Sequence, residues 1–321
     1  MISAVDEYTH PLSSDVNFNE SMYFQFHDPA RETTGFLRLA NRPNEGRGER
    51  TVCIYLPDGH LGFGFERPHV STNDVMAAAG LAVEVREPFH ELRVTFDGCV
   101  RVVGDPRAMT EPRTALSGAP QVACRIDLCF TALAPPHEQT FDADGRSFAP
   151  HHYEQLTSVR GTLAVGQRTI PIDGHGLRDH SWGPRSWQAP WFYRWMHGCS
   201  DNFGFMVAHF GEPDGSSRRG GFVFDGGEVH SCDRVTIATV RDDDDYQQSI
   251  TVSAHAGQRC WHVHGQALAS VPLRHRGSDG APSTRIVESA MRWRTDAGMQ
   301  LHGMSEYLDQ LHDGKPVGLH V

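Results

Sequence analysis

Hydrophobic positions in this 321-residue chain recur with a period of two rather than 3.6. Between Arg125 and Ala132, the side chains of Ile126, Leu128, Phe130 and Ala132 fall on one face of an alternating run. Leu81, Val83 and Val85 repeat the pattern, as do Leu92, Val94 and Phe96, and later Phe203, Phe205 and Val207. Residues 235–240, 249–253, 260–268, 285–294 and 299–307 read as further strands, since an extended chain sends successive side chains to opposite faces. Turn-forming sets separate them: Pro57-Asp58-Gly59, Asp97-Gly98, Asp173-Gly174, Asp225-Gly226-Gly227 and Asp296-Ala297-Gly298. The last joins its flanking strands closely enough for a hairpin. One short helix is expected over 72–80, and polar excursions over 105–121 and 278–283. Short strands with this punctuation predict an all-β protein of barrels or sandwiches. The length favours two domains, and Pro135, Pro136 and Gly145 interrupt the strand pattern where the change is expected, giving units 1–145 and 146–321.

Composition narrows the function classes. Hydrophobic residues at 39% are enough for a packed core, and a formal net charge of -11 speaks against nucleic-acid binding, which needs a basic footprint. No run approaches the roughly 18 apolar residues that span a bilayer. Residues 1–11 lack a basic segment followed by an apolar one, so no secretory signal is expected. Seven scattered cysteines with no C-x-x-C pair read as reduced thiols of a cytoplasmic protein. The four aspartates at 242–245 read as a solvated hairpin tip rather than a calcium loop.

The most informative stretch runs from Tyr153 to Trp195. It reads as a strand over 153–165, a turn at Gly166, a second strand over 169–182 and then an aromatic region. Four of the six tryptophans, Trp182, Trp187, Trp191 and Trp195, lie here with Phe192 and Tyr193. Arg178, Asp179, His180, Arg185 and Arg194 are interleaved with them, and such groups are rarely buried unless paired or working. In an extended chain Arg178, His180 and Trp182 share one face, while Leu177, Asp179 and Ser181 share the other. His180 beside Trp182 is then the candidate acid/base, and Asp179 ties down backbone or an arginine behind it. The reverse assignment, with Asp179 facing the ligand, stays open. Glu154, in the neighbouring strand, is the expected carboxylate partner of His180.

The residues His152-Tyr153-Glu154-Gln155, followed by Gly174-His175-Gly176-Leu177-Arg178-Asp179-His180-Ser181-Trp182-Gly183-Pro184-Arg185, resemble the hydroxyneurosporene synthase family, which includes carotenoid 1,2-hydratases and AttH-like proteins. The shared core is Asp-His-x-Trp-Gly, here Asp179, His180, Trp182 and Gly183. The fuller Arg-Asp-His-Ser-Trp-Gly-x-Arg form resembles a bacterial branch rather than the hydratases themselves. The resemblance implies two lipocalin-like β-barrel or β-sandwich domains packed side by side, with an apolar ligand site near their junction. It implies cofactor-free hydration or dehydration of a C=C bond in a terpenoid, steroid-like or polyketide substrate, or cyclisation as in related pericyclases. His180, Asp179 and Glu154 are the expected catalytic residues. Trp182, Arg178, Arg185, Trp187, Trp191, Tyr193, Trp195, Tyr153 and His209 are the expected substrate contacts, with Arg185 or Arg194 as an anchor for charge. A Tyr-x-Asp pair expected about 25 residues beyond the motif is replaced by Val207-Ala208-His209, so the proton donor of the hydratases is missing from its place.

Three other readings follow from the residues. His262 and His264 share a strand face, but no third ligand stands at a known spacing, and no metal site is assigned. No G-x-G-x-x-G precedes a helix and no G-x-S-x-G elbow occurs. A non-catalytic carrier of an apolar ligand is the alternative to the enzyme, and a homodimer is compatible with either.

Overall fold

The computed structural model describes residues 2–139, 150–186, 190–275 and 283–320. It is nearly all strand, in two separate antiparallel sheets. The first contains β1 (Phe18–Asp28), β2 (Thr33–Arg42), β3 (Arg47–Tyr55), β4 (Leu61–Glu66), β5 (Ala77–Ala78) and β6 (Leu81–Glu87). It continues with β7 (Glu91–Val103), β8 (Gln121–Ala132), β9 (His137–Glu138), β10 (His151–Val165) and β11 (Arg168–Pro184). The second contains β12 (Phe192–Cys199), β13 (Phe203–Gly211), β14 (Ser217–Asp225), β15 (Glu228–Ser231) and β16 (Arg234–Arg241). It is completed by β17 (Gln247–Ala256), β18 (Arg259–His275), β19 (Thr284–Thr295), β20 (Gln300–His312) and β21 (Lys315–Pro316). No helix among the described residues is long and apolar enough to cross a membrane.

The first sheet runs β4-β3-β2-β1-β11-β10-β8-β7-β6-β5, and β4 also pairs with β7 through Leu61↔Val103 and Phe63↔Arg101. That pairing closes eight strands into a barrel and removes its open edges. The barrel is filled. Met22, Phe24, Phe26, Leu37, Leu39, Val94, Phe96, Leu128, Phe130, Val159 and Leu163 form one buried apolar cluster. The central element is the long β10–β11 hairpin, with β11 also paired to β1. The motif glycines permit this close pairing: a Cβ on Gly176 would lie 1.9 Å from the Gln25 carbonyl oxygen. Gly183 has φ +109 and ends the strand where an L side chain would be strained.

The second sheet runs β15-β14-β13-β12-β20-β19-β18-β17-β16 and curls around Met196, Phe205, Val207, Val252, Met291, Trp293 and Tyr307. Both curled sheets are thus lipocalin-like β domains, as the family resemblance implies, and all-β, as the alternation predicts. The hairpin expected at Asp296-Ala297-Gly298 joins β19 to β20.

Three expectations are corrected. The first unit does not end near 145: β10 and β11 complete the first barrel, and the division falls after Ser186, with Pro106–Thr114 belonging to the second unit. Prolines 135 and 136 interrupt a strand pattern without ending a core. The helix expected over 72–80 is absent; this stretch holds β5 and a turn with Ala79 and Gly80 both at positive φ. The excursion over 105–121 carries one 3-10 turn and a single six-residue helix, Pro112–Ser117. The aspartates at 242–245 do form the β16–β17 hairpin tip, where Arg107 donates to Asp242 and, at 2.6 Å, to Asp244. Arg107 and Asp244 are exposed and only Asp242 is partly buried, so Arg107→Ala is expected to cost about 1 kcal/mol or less in urea unfolding.

Candidate functional site

β11 sets the parity. Gly176, Arg178, His180 and Trp182 point into the first barrel, and Asp179 and Ser181 point outward. Below this point the inward positions of β11 are Ile170 and Ile172, part of the apolar core. The barrel therefore changes from apolar to polar along one hairpin. The segment before β1 crosses the polar end, and its 3-10 turn Ala4–Glu7 delivers a carboxylate into it.

Glu7 is fully buried and accepts Arg178 Nη1 at 2.6 Å and Nη2 at 2.8 Å, a bidentate pair. It also accepts the Tyr153 hydroxyl at 2.6 Å and the Phe89 backbone N–H at 2.6 Å. Gln155 accepts Arg178 Nε at 3.0 Å and donates to the carbonyls of Phe89 and Ala134. Next to this pair lies His180, also fully buried. Its Nδ1 is 3.2 Å from the Tyr153 hydroxyl and its Nε2 is 2.5 Å from Glu20 Oε1. The same Glu20 oxygen is 2.9 Å from His10 Nδ1. His10 keeps 16% of its side-chain surface, and Asp6 beside it 22%, so solvent reaches the cluster on this side.

Trp182 lines this end. Its ring stacks on His10 at 3.9 Å and on His151 at 5.1 Å, with His180 tilted against it at 5.1 Å. Burial pushes the Glu20 carboxyl upward, but its hydrogen bonds to His10 and His180 and their charges prevail and hold it at about 2. Burial lowers His10, and the hydrogen bond and charge of Glu20 outweigh it, so His10 is raised from its ordinary value. His10, Glu20 and His180 are the set among the described residues that could hold a metal ion.

The expected site residues fall in several places. His180, Trp182, Arg178 and Tyr153 are brought together. Asp179 is on the outer face, 3.7 Å from His152, so it neither faces the cluster nor holds an arginine there. Glu154 is the main correction. It sits opposite Asp179 in the hairpin register, whereas Tyr153 sits opposite His180. Glu154 is therefore on the outer face, 3.8 Å from His152, and cannot reach His180. Glu20 takes that place. Arg185 follows β11 and donates to Ser181 at 3.2 Å. Trp191, Tyr193, Trp195 and His209 belong to the second unit. There Tyr193 donates to Glu306, Trp195 lies against His197, and His209 meets the edge of Phe192. Arg194 is no ligand anchor: it is buried, paired with Asp309 at 2.7 Å and bonded to three carbonyls. Trp187 lies outside the described residues. His262 and His264 bond separately to Ser253 and Asp296 and share no ligand set.

The residues missed were Glu7, His10 and Glu20. One local signal existed for Glu20. In Phe18–Asp28, Met22, Phe24 and Phe26 form the core-facing series, and Glu20 occupies the same parity. A carboxylate in such a series needs a partner.

Over residues 3–311 the chain matches a family model described as a domain of unknown function, DUF7064. The chain belongs to the DUF7064 family. Solved structures with the same fold as this DUF7064 chain include a putative AttH from Nitrosomonas europaea, with TM-score 0.63 and 15% identity over 90% of this chain and 92% of that one. CghA bound to Sch210972 has TM-score 0.58 and 11% identity, covering 94% and 90% of the two chains. Kievitone hydratase from Nectria haematococca has TM-score 0.58 and 9% identity, covering 96% and 93%. No curated protein matches the chain. The AttH-like resemblance thus holds for the fold, while the family model that matches is DUF7064 rather than hydroxyneurosporene synthase.

Proposed function

We propose that this DUF7064 protein is an enzyme of the hydratase or cyclase type acting on an apolar small molecule, and that it adds or removes water at a C=C bond. One observation carries the reading: two imidazoles and a carboxylate, His10, His180 and Glu20, meet against the Trp182 ring at the end of the barrel that solvent reaches. Hydration needs a group that handles water and a proton, and a wall that tolerates positive charge on carbon. The imidazole–carboxylate cluster suits the first task. The π face of Trp182 suits the second. A fold shared with a protein named kievitone hydratase supports the same class.

The test is turnover of a panel of terpenoid, steroid-like and polyketide alkenes in H₂¹⁸O, followed by mass spectrometry. Wild type is expected to introduce ¹⁸O into one substrate class. His180→Ala and Glu20→Gln are each expected to lower kcat about 10²-fold, the scale of one acid–base group. Glu154→Gln, on the outer face, is expected to retain most of the rate. A product isomeric with its substrate and free of ¹⁸O would assign cyclisation instead. Turnover untouched by both barrel-facing variants would refute the site.

A further inference from the structure

The hydrogen-bond pattern around Glu20 turns two ring nitrogens toward one carboxylate oxygen. The Tyr153 hydroxyl has one proton, and it is given to the Glu7 carboxylate at 2.6 Å. Its oxygen also receives Arg178 Nη1 at 3.3 Å. Toward His180, 3.2 Å away, that oxygen therefore acts as acceptor, and His180 Nδ1 carries the hydrogen. On the other side of the cluster, His10 Nε2 faces the Asp6 carboxylate at 3.3 Å and is likewise the donor. Both outer nitrogens are committed as donors. The inner ones, His180 Nε2 and His10 Nδ1, are then the nitrogens that carry lone pairs in a neutral ring, and both point at the same Glu20 oxygen. Three electron pairs converge, and either two extra protons or one cation must hold them together.

We propose that His10, His180 and Glu20 form a binding site for one divalent transition-metal ion. The three ligand atoms lie within 4.8 Å of one another. Bonds of about 2.0–2.1 Å at near-tetrahedral angles would separate them by roughly 3.3–3.4 Å. The observed 2.9 and 2.5 Å thus widen by less than about 1 Å. Each ligand is also held from behind, the arrangement that orients metal ligands elsewhere. Asp6 holds His10, Tyr153 holds His180, and Glu20 Oε2 accepts Asn73 Nδ2 and the His10 N–H, each at 2.9 Å.

Charge balances too. Arg178 neutralises Glu7, leaving the carboxylates of Glu20 and Asp6 to face a 2+ ion. Two imidazoles with one carboxylate favour zinc, cobalt, nickel or iron over magnesium or calcium, which prefer all-oxygen shells. His10, with 16% of its side-chain surface in solvent, gives the ion a route in. This departs from the cofactor-free site that the family resemblance implies. It does not rest on the proposed reaction, because occupancy is read without substrate.

The experiment uses the full chain, stripped with chelator and titrated with CoCl₂ and ZnCl₂ at neutral pH. One equivalent of Co²⁺ is expected to produce visible d–d absorption, and Zn²⁺ to bind 1:1 by calorimetry and raise the unfolding temperature. Glu20→Gln and His10→Gln are each expected to weaken binding at least 10²-fold. His10 lies on the segment that precedes the barrel, so its variant keeps the fold even if Glu20→Gln does not; circular dichroism checks both. His262→Gln, on an exposed strand, is expected to leave the stoichiometric site unchanged. Absence of 1:1 binding, or 1:1 binding that survives His10→Gln in folded protein, overturns the site. Loss of turnover in Glu20→Gln without metal binding by wild type would overturn the metal alone and leave the reactive cluster standing.

Discussion

Arg178→Leu is expected to destabilise the first barrel by about 3–5 kcal/mol, the usual cost of removing one partner of a buried ion pair. The guanidinium is 1% exposed and Glu7 is 0% exposed, so no solvent compensates either charge. The variant strands Glu7 with the Tyr153 hydroxyl and one backbone N–H as donors. It also leaves Gln155 without its donor from β11. Part of the cost can be avoided if residues 4–10 swing out and take Glu7 into water. Two measurements separate these routes. Urea unfolding gives the total, and hydrogen exchange at the Phe89 N–H and the His10 N–H reports detachment of the segment. Glu7→Gln combined with Arg178→Leu is expected to recover more than 1 kcal/mol relative to Arg178→Leu alone, because the uncompensated charge is gone. Full additivity of the two single changes would show that the pair is not coupled.

The second large effect is a dependence of stability on pH set in the second sheet. His197 and Glu288 share the sheet face opposite the apolar core. Burial alone pulls His197 down to about 3 from 6.5, and burial alone pushes Glu288 up to about 8 from 4.5. The signs are opposite. His197 stays neutral when folded, so its contribution is intact above 6.5 and is lost as pH falls toward 3. Glu288 holds its proton when folded, so its contribution is intact below 4.5 and is lost as pH rises toward 8. At 1.36 kcal/mol per pH unit, each interval amounts to roughly 4–5 kcal/mol. Stability is therefore expected to be level between about 4.5 and 6.5 and to fall on both sides. His197→Phe is expected to remove the acid limb and Glu288→Gln the alkaline limb. Urea midpoints measured from about pH 3 to about pH 9, spanning both limbs, would decide, and limbs unchanged in both variants would assign the pH dependence to other groups.

The sequence by itself determined the fold class, most strands and the division of the motif side chains into two opposite faces, while which face turns inward was left to the structure. Alternation is a local property: the pleat turns every second residue the same way, so Arg178, His180 and Trp182 had to part from Asp179 wherever the strand was placed. The same rule, carried one strand further, contradicts the expected Glu154–His180 pair, because register sets Tyr153 opposite His180. The tertiary structure alone decided the partners. Glu20 and His10 are 160 and 170 positions from His180 and reach it because β1 pairs with β11 and the preceding segment folds over the barrel end. Strand adjacency is fixed by barrel closure and core burial summed over the whole unit, so no local pattern around residue 180 carries it. The aromatic region shows the same limit. Trp182 and Trp195 lie 13 positions apart, but the chain passes from one sheet to the other between them, so one aromatic stretch of sequence is divided between two units.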